Sequence, residues 1–181
     1  MSVVHAGEAL LADGWARDVR IRIGADGRIA EIDREVAGAD RGIVALPAPG
    51  NLHSHAFQRA MAGLSEARSS ARDGDSFWTW QKIMYRFLDR LTPDDVEAIA
   101  AQLMVENAEA GFAAIGEFHY LHHAPGGERY DDPAEMAMRI AAAARETGTG
   151  LTLLPVLYVH GGADGRPLAG AQLRFGSDAD G

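Results

Sequence analysis

The chain has 181 residues, of which 47% are hydrophobic, with seven histidines, no cysteine and a formal net charge of −9. The length suits one compact domain, with or without a small appendage. The negative charge argues against a nucleic-acid surface, and the lack of cysteine excludes disulfides and cysteine-ligated zinc. We also expect no membrane span and no signal peptide, because the sequence shows neither an eighteen-residue apolar run nor a basic, apolar N-terminus, and hence a cytoplasmic protein.

Residues 1 to about 46 have the pattern of β-structure. Val19, Ile21 and Ile23 alternate with arginines, which is the period of a half-buried strand. The turn sequence at residues 24–27 precedes a second strand over 28–33, so the pair predicts a hairpin. With a short strand expected at residues 42–46, we predict a small β domain over residues 1–48.

From residue 49 onward, strands and helices alternate. Thr92 and Pro93 are typical of a capped helix start, and Gly111 suits the helix end. Pro155 counts against a fully hydrogen-bonded central strand. The predicted elements are a strand end at 52–56, a helix at 76–88, a helix from 92 to 111, a strand at 112–119, a helix starting in the same manner at 132–135 and closed by Gly148 or Gly150, and a strand at 151–158.

Apolar strands that alternate with helices predict parallel α/β structure. A complete (β/α)₈ barrel needs about 250 residues, whereas the part from 49 to 181 has room for about three βα units. Residues 161–181 are rich in glycine and aspartate and show no further strong element. The chain is therefore expected to be either an open α/β domain or the front part of a longer barrel.

The most informative motif is the pair His53 and His55, separated by Ser54. On an extended strand, residues i and i+2 point to the same face, with Cα atoms about 6.5–7 Å apart. Two imidazoles at this spacing can converge on one zinc ion, which binds histidine nitrogen at about 2.0–2.1 Å. We predict that these two side chains are metal ligands rather than a chance pair on a loop.

Several longer blocks surround this pair in a fixed order. They are PGNLHSHAFQRAMAG at residues 49–63, SFWTW at 76–80, MYR at 84–86, EFHY with HH at 117–123, and LTLLPVLY at 151–158. In content and order these blocks resemble the formimidoylglutamate deiminase family of the amidohydrolase superfamily. The resemblance covers essentially the whole chain.

The resemblance implies a fold and an activity. The fold is the first part of an amidohydrolase-type TIM barrel over residues 49–181, incomplete in this chain, after one half of a composite β-sandwich. The activity is hydrolysis of N-formimidoyl-L-glutamate to N-formyl-L-glutamate and ammonia, in histidine degradation. One zinc ion per site, a small-molecule substrate and a homodimer are implied as well.

The resemblance also assigns roles to residues. His53 and His55 become the first two zinc ligands, while Gln58 and Tyr120 contact the substrate. The remaining ligands, and the glutamate and histidine that move protons, are expected beyond Gly181, so no proton-transferring residue is assigned within this chain. We therefore expect the 181 residues to be an N-terminal fragment, with half of the site and little activity alone.

Other polar and aromatic residues invite functional interpretations that we set against structural ones. His119, His122 and His123 suggest a second metal site, which we reject because one zinc suffices. Glu117 could be catalytic, but we favour either a buried carboxylate or one that supports the site, and His160 is interpreted as structural or exposed. Trp78 and Trp80 fit either a pocket wall or dimer contact, or the core.

One departure from the family pattern concerns substrate choice. Gln81 stands where some members have an arginine, and a neutral amide lacks the charged fork that binds a carboxylate with two hydrogen bonds. Two alternatives therefore stay open. One is a deaminase of the same superfamily that acts on a nucleobase, triazine or guanidino compound, and the other is a non-catalytic half-barrel.

Overall fold

The computed structural model describes residues 2–38, 42–65 and 77–177. Packing divides the chain into two compact units, Met1–Ala48 and Pro49–Gly181. Within the described ranges, no helix has both the length and the apolar character needed to cross a membrane.

The first unit is a four-stranded sheet in the order β3-β2-β1-β4. The strands are β1 (Ser2–Leu11), β2 (Gly14–Ile23), β3 (Ile29–Asp33) and β4 (Val44–Ala45). The predicted hairpin corresponds to β2 and β3, which pair antiparallel, and β4 falls inside the short strand expected at 42–46. β2 begins earlier than predicted because its first residues pair with the end of β1 across a tight turn.

The second unit contains three parallel strands in the order β5-β6-β7. They are β5 (Gly50–Ser54), β6 (Ala114–His119) and β7 (Gly150–Pro155), and the helices are α1 (Phe77–Leu88), α2 (Pro93–Glu109) and α3 (Glu135–Thr147). The predicted α/β class is confirmed, and among the described residues the parallel sheet has three strands and stays open. Ser76, the predicted start of the first helix, lies outside the described residues.

The helix ends show how far local sequence determines this unit. Thr92 and Asp95 form a reciprocal capping box at the start of α2, as the sequence indicates for Thr92. Gly111 and Gly148 adopt positive φ angles after α2 and α3. The start of α3 differs from the prediction: Asp132 first closes a turn by accepting a hydrogen bond from the Ala134 amide, and the helix begins at Glu135.

The last strand is shorter than predicted. β7 ends at Pro155, so residues 156–158 lie outside the strand. Proline has no N–H to donate to a strand ladder, and β7 occupies one edge of the described sheet, where such a residue is tolerated.

The segment after β7 contains an element that the sequence did not predict. A 3₁₀ helix (Gly170–Arg174) carries Arg174, whose side chain is fully buried. The guanidinium donates hydrogen bonds to the carbonyls of Leu88, Leu91 and His123, and the Arg174 carbonyl accepts the amides of His122 and His123. Arg174 thereby ties the end of α1 to the loop after β6.

We predict that Arg174→Met strongly destabilises the protein. Three buried carbonyls would lose their donor, and each unsatisfied group costs about 1–3 kcal/mol. Urea unfolding should therefore show a loss of about 3 kcal/mol or more. Arg145→Met, on the exposed part of α3, is the matched control and should leave the unfolding midpoint unchanged; equal stability of both variants would contradict the role of Arg174.

Candidate metal centre and adjoining cavity

The two predicted metal ligands lie where β5 passes into a 3₁₀ helix (Ala56–Met61). The pairing of β5 with β6 shifts register between Asn51 and Ser54, which is a β-bulge rather than the regular strand expected from the sequence. Across this bulge the Nε2 atoms of His53 and His55 stand 3.0 Å apart. The structure thus brings the two side chains together, and their role as ligands stays a prediction.

The hydrogen bonds of His55 determine which of its nitrogens is available. Its Nδ1 lies 3.1 Å from the carbonyl oxygen of Phe118 on β6. A carbonyl carries no proton, so Nδ1 must be the donor and the neutral ring has its lone pair on Nε2. Partial burial lowers the pKa of His55, which favours this neutral form. Metal-binding histidines characteristically donate their other N–H in this way.

A series of amide hydrogen bonds fixes the backbone at the beginning of the bulge. The backbone N–H of His53 donates to the side-chain oxygen of Asn51 over 3.3 Å, and the Asn51 amide donates to Asn107 on α2 over 3.0 Å. Asn107 in turn donates to the Leu103 carbonyl over 2.8 Å. The backbone at His53 is therefore fixed from α2, a contact between distant residues that the sequence pattern did not indicate.

The two predicted substrate contacts, Gln58 and Tyr120, meet beside His55. The Gln58 amide donates a hydrogen bond of 3.0 Å to the Tyr120 hydroxyl, and the Tyr120 ring centroid lies 5.1 Å from that of His55. Burial, as the main cause, raises the pKa of Tyr120 to about 12. The phenol therefore stays protonated at neutral pH and can donate a hydrogen bond.

These groups open onto a cavity of about 350 Å³. His55, Gln58, Gln81 and Tyr120 supply its polar lining, and no Asp, Glu, Lys or Arg lines it among the described residues. Aromatic side chains from α1, β6 and the segment after β7 form much of the wall: Phe77, Trp80, Tyr85, Phe118, Tyr158 and Phe175. This places Trp80 in the pocket wall, whereas Trp78 is largely exposed and not part of the lining.

Sequence reasoning missed several wall residues. Phe175 is buried, and its ring centroid lies 4.8 Å from that of Tyr120. Met84 faces the same cavity and accepts hydrogen bonds from Gln58 and Tyr120 at its sulfur. Met84 could have been found from the sequence, since it lies in the MYR block at residues 84–86. Phe175 could not, because it lies in a glycine-rich stretch without hydrophobic periodicity.

Among the described residues of this unit, the other four histidines make no hydrogen bond or ring contact with the pair. His119 is buried, and burial lowers its pKa to about 4. His122 and His123 contact the carbonyls of Val156 and Gly176 through their Nε2 atoms. His160 is exposed.

The described residues provide a metal ion with no larger group of ligands than this pair. Among residues 2–38, 42–65 and 77–177, no group of three or more His, Asp or Glu side chains comes together in metal-binding geometry. The two Nε2 atoms are a little closer than the roughly 3.3 Å expected for two nitrogens about 2.05 Å from a tetrahedral ion. The donors fit two of the four positions of a zinc site.

Glu117 lies on β6 opposite Ser54, the residue between the two histidines, and is 2% exposed. Its Oε1 accepts a hydrogen bond of 2.7 Å from the backbone N–H of Ala56. Its Oε2 and the nearby Ser54 hydroxyl are buried, and among the described residues neither makes a hydrogen bond of regular geometry. Burial raises the pKa of the carboxyl, and the Ala56 N–H and the Ser54 hydroxyl both oppose this shift.

Comparison with known proteins links this geometry to one family. Residues 1–42 match the family model described as "Formimidoylglutamate deiminase HutF, N-terminal domain". A formimidoylglutamate deiminase from Pseudomonas aeruginosa is 53% identical over 184 residues, which cover 99% of this chain and 40% of that protein.

Two solved structures are similar in fold. An amidohydrolase from Brucella melitensis is 47% identical with a TM-score of 0.89, covering 99% of this chain and 40% of the other. Atrazine chlorohydrolase from Arthrobacter aurescens, solved in complex with zinc, has a TM-score of 0.58 at 16% identity, covering 84% of this chain and 35% of the other. At that identity the second likeness shows the fold alone.

The chain spans about 40% of the length of the Pseudomonas aeruginosa and Brucella melitensis proteins. Within that span, the match to the Pseudomonas aeruginosa protein extends from the β unit through the histidine pair to the segment after β7. Over almost its whole length the chain is therefore similar to part of a formimidoylglutamate deiminase, and its first 42 residues match the N-terminal domain of that family.

Proposed function

We propose that this chain contributes the first barrel strands and half of the active site of a zinc-dependent hydrolase. The reaction is conversion of N-formimidoyl-L-glutamate to N-formyl-L-glutamate and ammonia. The observation that carries the proposal is the facing pair of Nε2 atoms at the end of β5, in a chain 53% identical to a formimidoylglutamate deiminase. The predicted cytoplasmic location and homodimer stay predictions.

His53 and His55 would hold the zinc ion, with the remaining ligands supplied outside the described residues. When bound, zinc lowers the pKa of water toward about 7 and polarises the group that is attacked. His55 is prepared for this role because the Phe118 carbonyl fixes its N–H on Nδ1. The two imidazole nitrogens, which fit two of the four positions of a zinc site, support the assignment of the metal.

Tyr120 and Gln58 would orient the substrate next to the metal. Gln58 donates to the Tyr120 oxygen, so the phenol remains a donor, and its proton would turn from the Met84 sulfur toward a substrate nitrogen or oxygen in the cavity. The aromatic wall excludes water, and it can pack against the methylene groups of a glutamate side chain. Both substrate carboxylates would then need cationic partners outside this lining.

A deaminase of the same superfamily with an uncharged ring substrate is the second candidate. The observation in its favour is the neutral aromatic lining, with Gln81 in the wall and no cation among the described lining residues. A panel of formimidoylglutamate, nucleobases, triazines and guanidino compounds, scored by ammonia release, separates the two candidates.

We predict that a chimera restores deiminase activity. In it, this chain replaces the matching 184 residues of the Pseudomonas aeruginosa relative. Ammonia release from formimidoylglutamate should be measurable with the chimera and absent with the 181-residue chain alone, whose described residues bring together two predicted ligands and no larger group. Turnover by the isolated chain with stoichiometric zinc, or an inactive but folded and zinc-loaded chimera, would contradict the proposal.

In the same chimera, His53→Ala and His55→Ala should each lower kcat/KM by more than about a hundredfold. Loss of a partner of a metal ligand already costs about 10–100-fold, so loss of a ligand should cost more. Zinc content, measured by mass spectrometry of metals, should fall in parallel. His160→Ala, an exposed histidine outside the site, is the control and should change neither quantity.

Tyr120→Phe in the chimera should lower kcat/KM by about tenfold while leaving zinc content unchanged. One hydrogen bond to the substrate is worth about 0.5–1.5 kcal/mol. Tyr85→Phe is a matched control, because this hydroxyl lines the same cavity but interacts with Gln172 rather than Gln58. Equal losses in both variants would argue against a specific contact from Tyr120.

A further inference from the structure

Three consecutive residues of β6 meet the backbone that carries the histidine pair. Gly116 faces the bulge, Glu117 reaches the turn that follows it, and the Phe118 carbonyl binds the ring of His55. β-Bulges re-aim side chains and depend on neighbouring structure for their geometry. The orientation of the two imidazole rings therefore depends on β6 as well as on β5.

Gly116 has no side chain, and the bulged backbone of β5 occupies the space that a side chain would fill. A Cβ at this position would lie 3.1 Å from the carbonyl oxygen of Leu52 and 3.4 Å from its carbonyl carbon. Leu52 directly precedes His53, so any side chain at 116 would push the backbone of the first ligand. The φ angle of Gly116 is not positive, and only the close approach calls for glycine here.

Glu117 fixes the other end of the pair. Ser54, the residue between the histidines, is its register partner, and Ala56, the residue after His55, donates its N–H to the carboxyl. Since the carboxyl is almost completely buried, this hydrogen bond is shielded from water. Backbone movement at Ser54 or Ala56 would alter the separation of the two Nε2 atoms.

We propose that Gly116 and Glu117 are positioning residues that set the His53–His55 pair at the separation one metal ion requires. The inference rests on the proposed function, because that function supplies the metal. Glu117 acts through the backbone: it is buried, hydrogen-bonded to Ala56 and absent from the lining of the described cavity, so it is placed to act on the pair rather than on a molecule in that cavity. Both residues would be needed for metal binding even though neither is itself a ligand of the ion.

The test uses the 181-residue chain and Cu²⁺ held by iminodiacetate. This complex keeps positions open for imidazole, which suits Cu²⁺, and its electron paramagnetic resonance spectrum distinguishes one bound nitrogen from two. The wild-type chain should bind through both histidines, and the His53→Ala/His55→Ala double variant should lose this two-nitrogen signal.

Glu117→Ala should weaken two-nitrogen binding by about tenfold or more, as expected for loss of a residue that supports a metal ligand. Glu117→Gln keeps an acceptor for the Ala56 N–H and should bind close to wild type. Gly116→Ala should also weaken binding, and it keeps the inference testable if Glu117→Ala does not fold. Ile115→Ala, a buried residue of the same strand, is the control for general core damage.

The outcomes separate the inference from the function on which it rests. Wild-type affinity in folded Glu117→Ala and Gly116→Ala would overturn the positioning role and leave the metal pair intact. Equal weakening in Ile115→Ala, at matched loss of thermal stability, would reduce the effect to core damage and also overturn it. Absence of two-nitrogen binding in the wild type would contradict the metal pair, and the inference with it.

Discussion

The parallel pairing of β5 with β6 is the constraint on which the site depends. Its register shift between Asn51 and Ser54 turns an ordinary strand end into a bulge that presents two imidazoles to one point. The bulge is held from two sides, by the amide chain from α2 and by the residues of β6. The geometry proposed to bind the metal therefore exists only once the parallel sheet has formed.

The same pairing links the metal pair to the cavity. β6 carries Phe118, whose carbonyl binds His55, and is followed at once by Tyr120, whose hydroxyl meets Gln58 from the helix after the pair. Arg174 then ties the end of α1 to the loop after β6, which places Phe175 against the Tyr120 ring. The wall of the cavity is thus assembled from segments far apart in sequence, which these hydrogen bonds hold together.

Local features were predictable from the sequence because they depend on neighbouring residues. The capping residue Thr92, the glycine that ends α3 and the alternation of strands and helices all follow from short-range rules. The bulge at His53 was not predictable, since it depends on Gly116 and Asn107, more than fifty positions away. Arg174 was missed because a buried cation that donates mainly to backbone carbonyls has no sequence signature.

The most direct test of the account is a crystal structure of the zinc-loaded protein with anomalous data collected at the zinc edge. We expect one anomalous peak about 2.0–2.1 Å from the Nε2 atoms of both His53 and His55. The Phe118 carbonyl should still accept from Nδ1 of His55, and the β5–β6 bulge should be unchanged. A peak at His119, His122 or His123 instead, or zinc bound through Nδ1 of His55, would contradict the assignment.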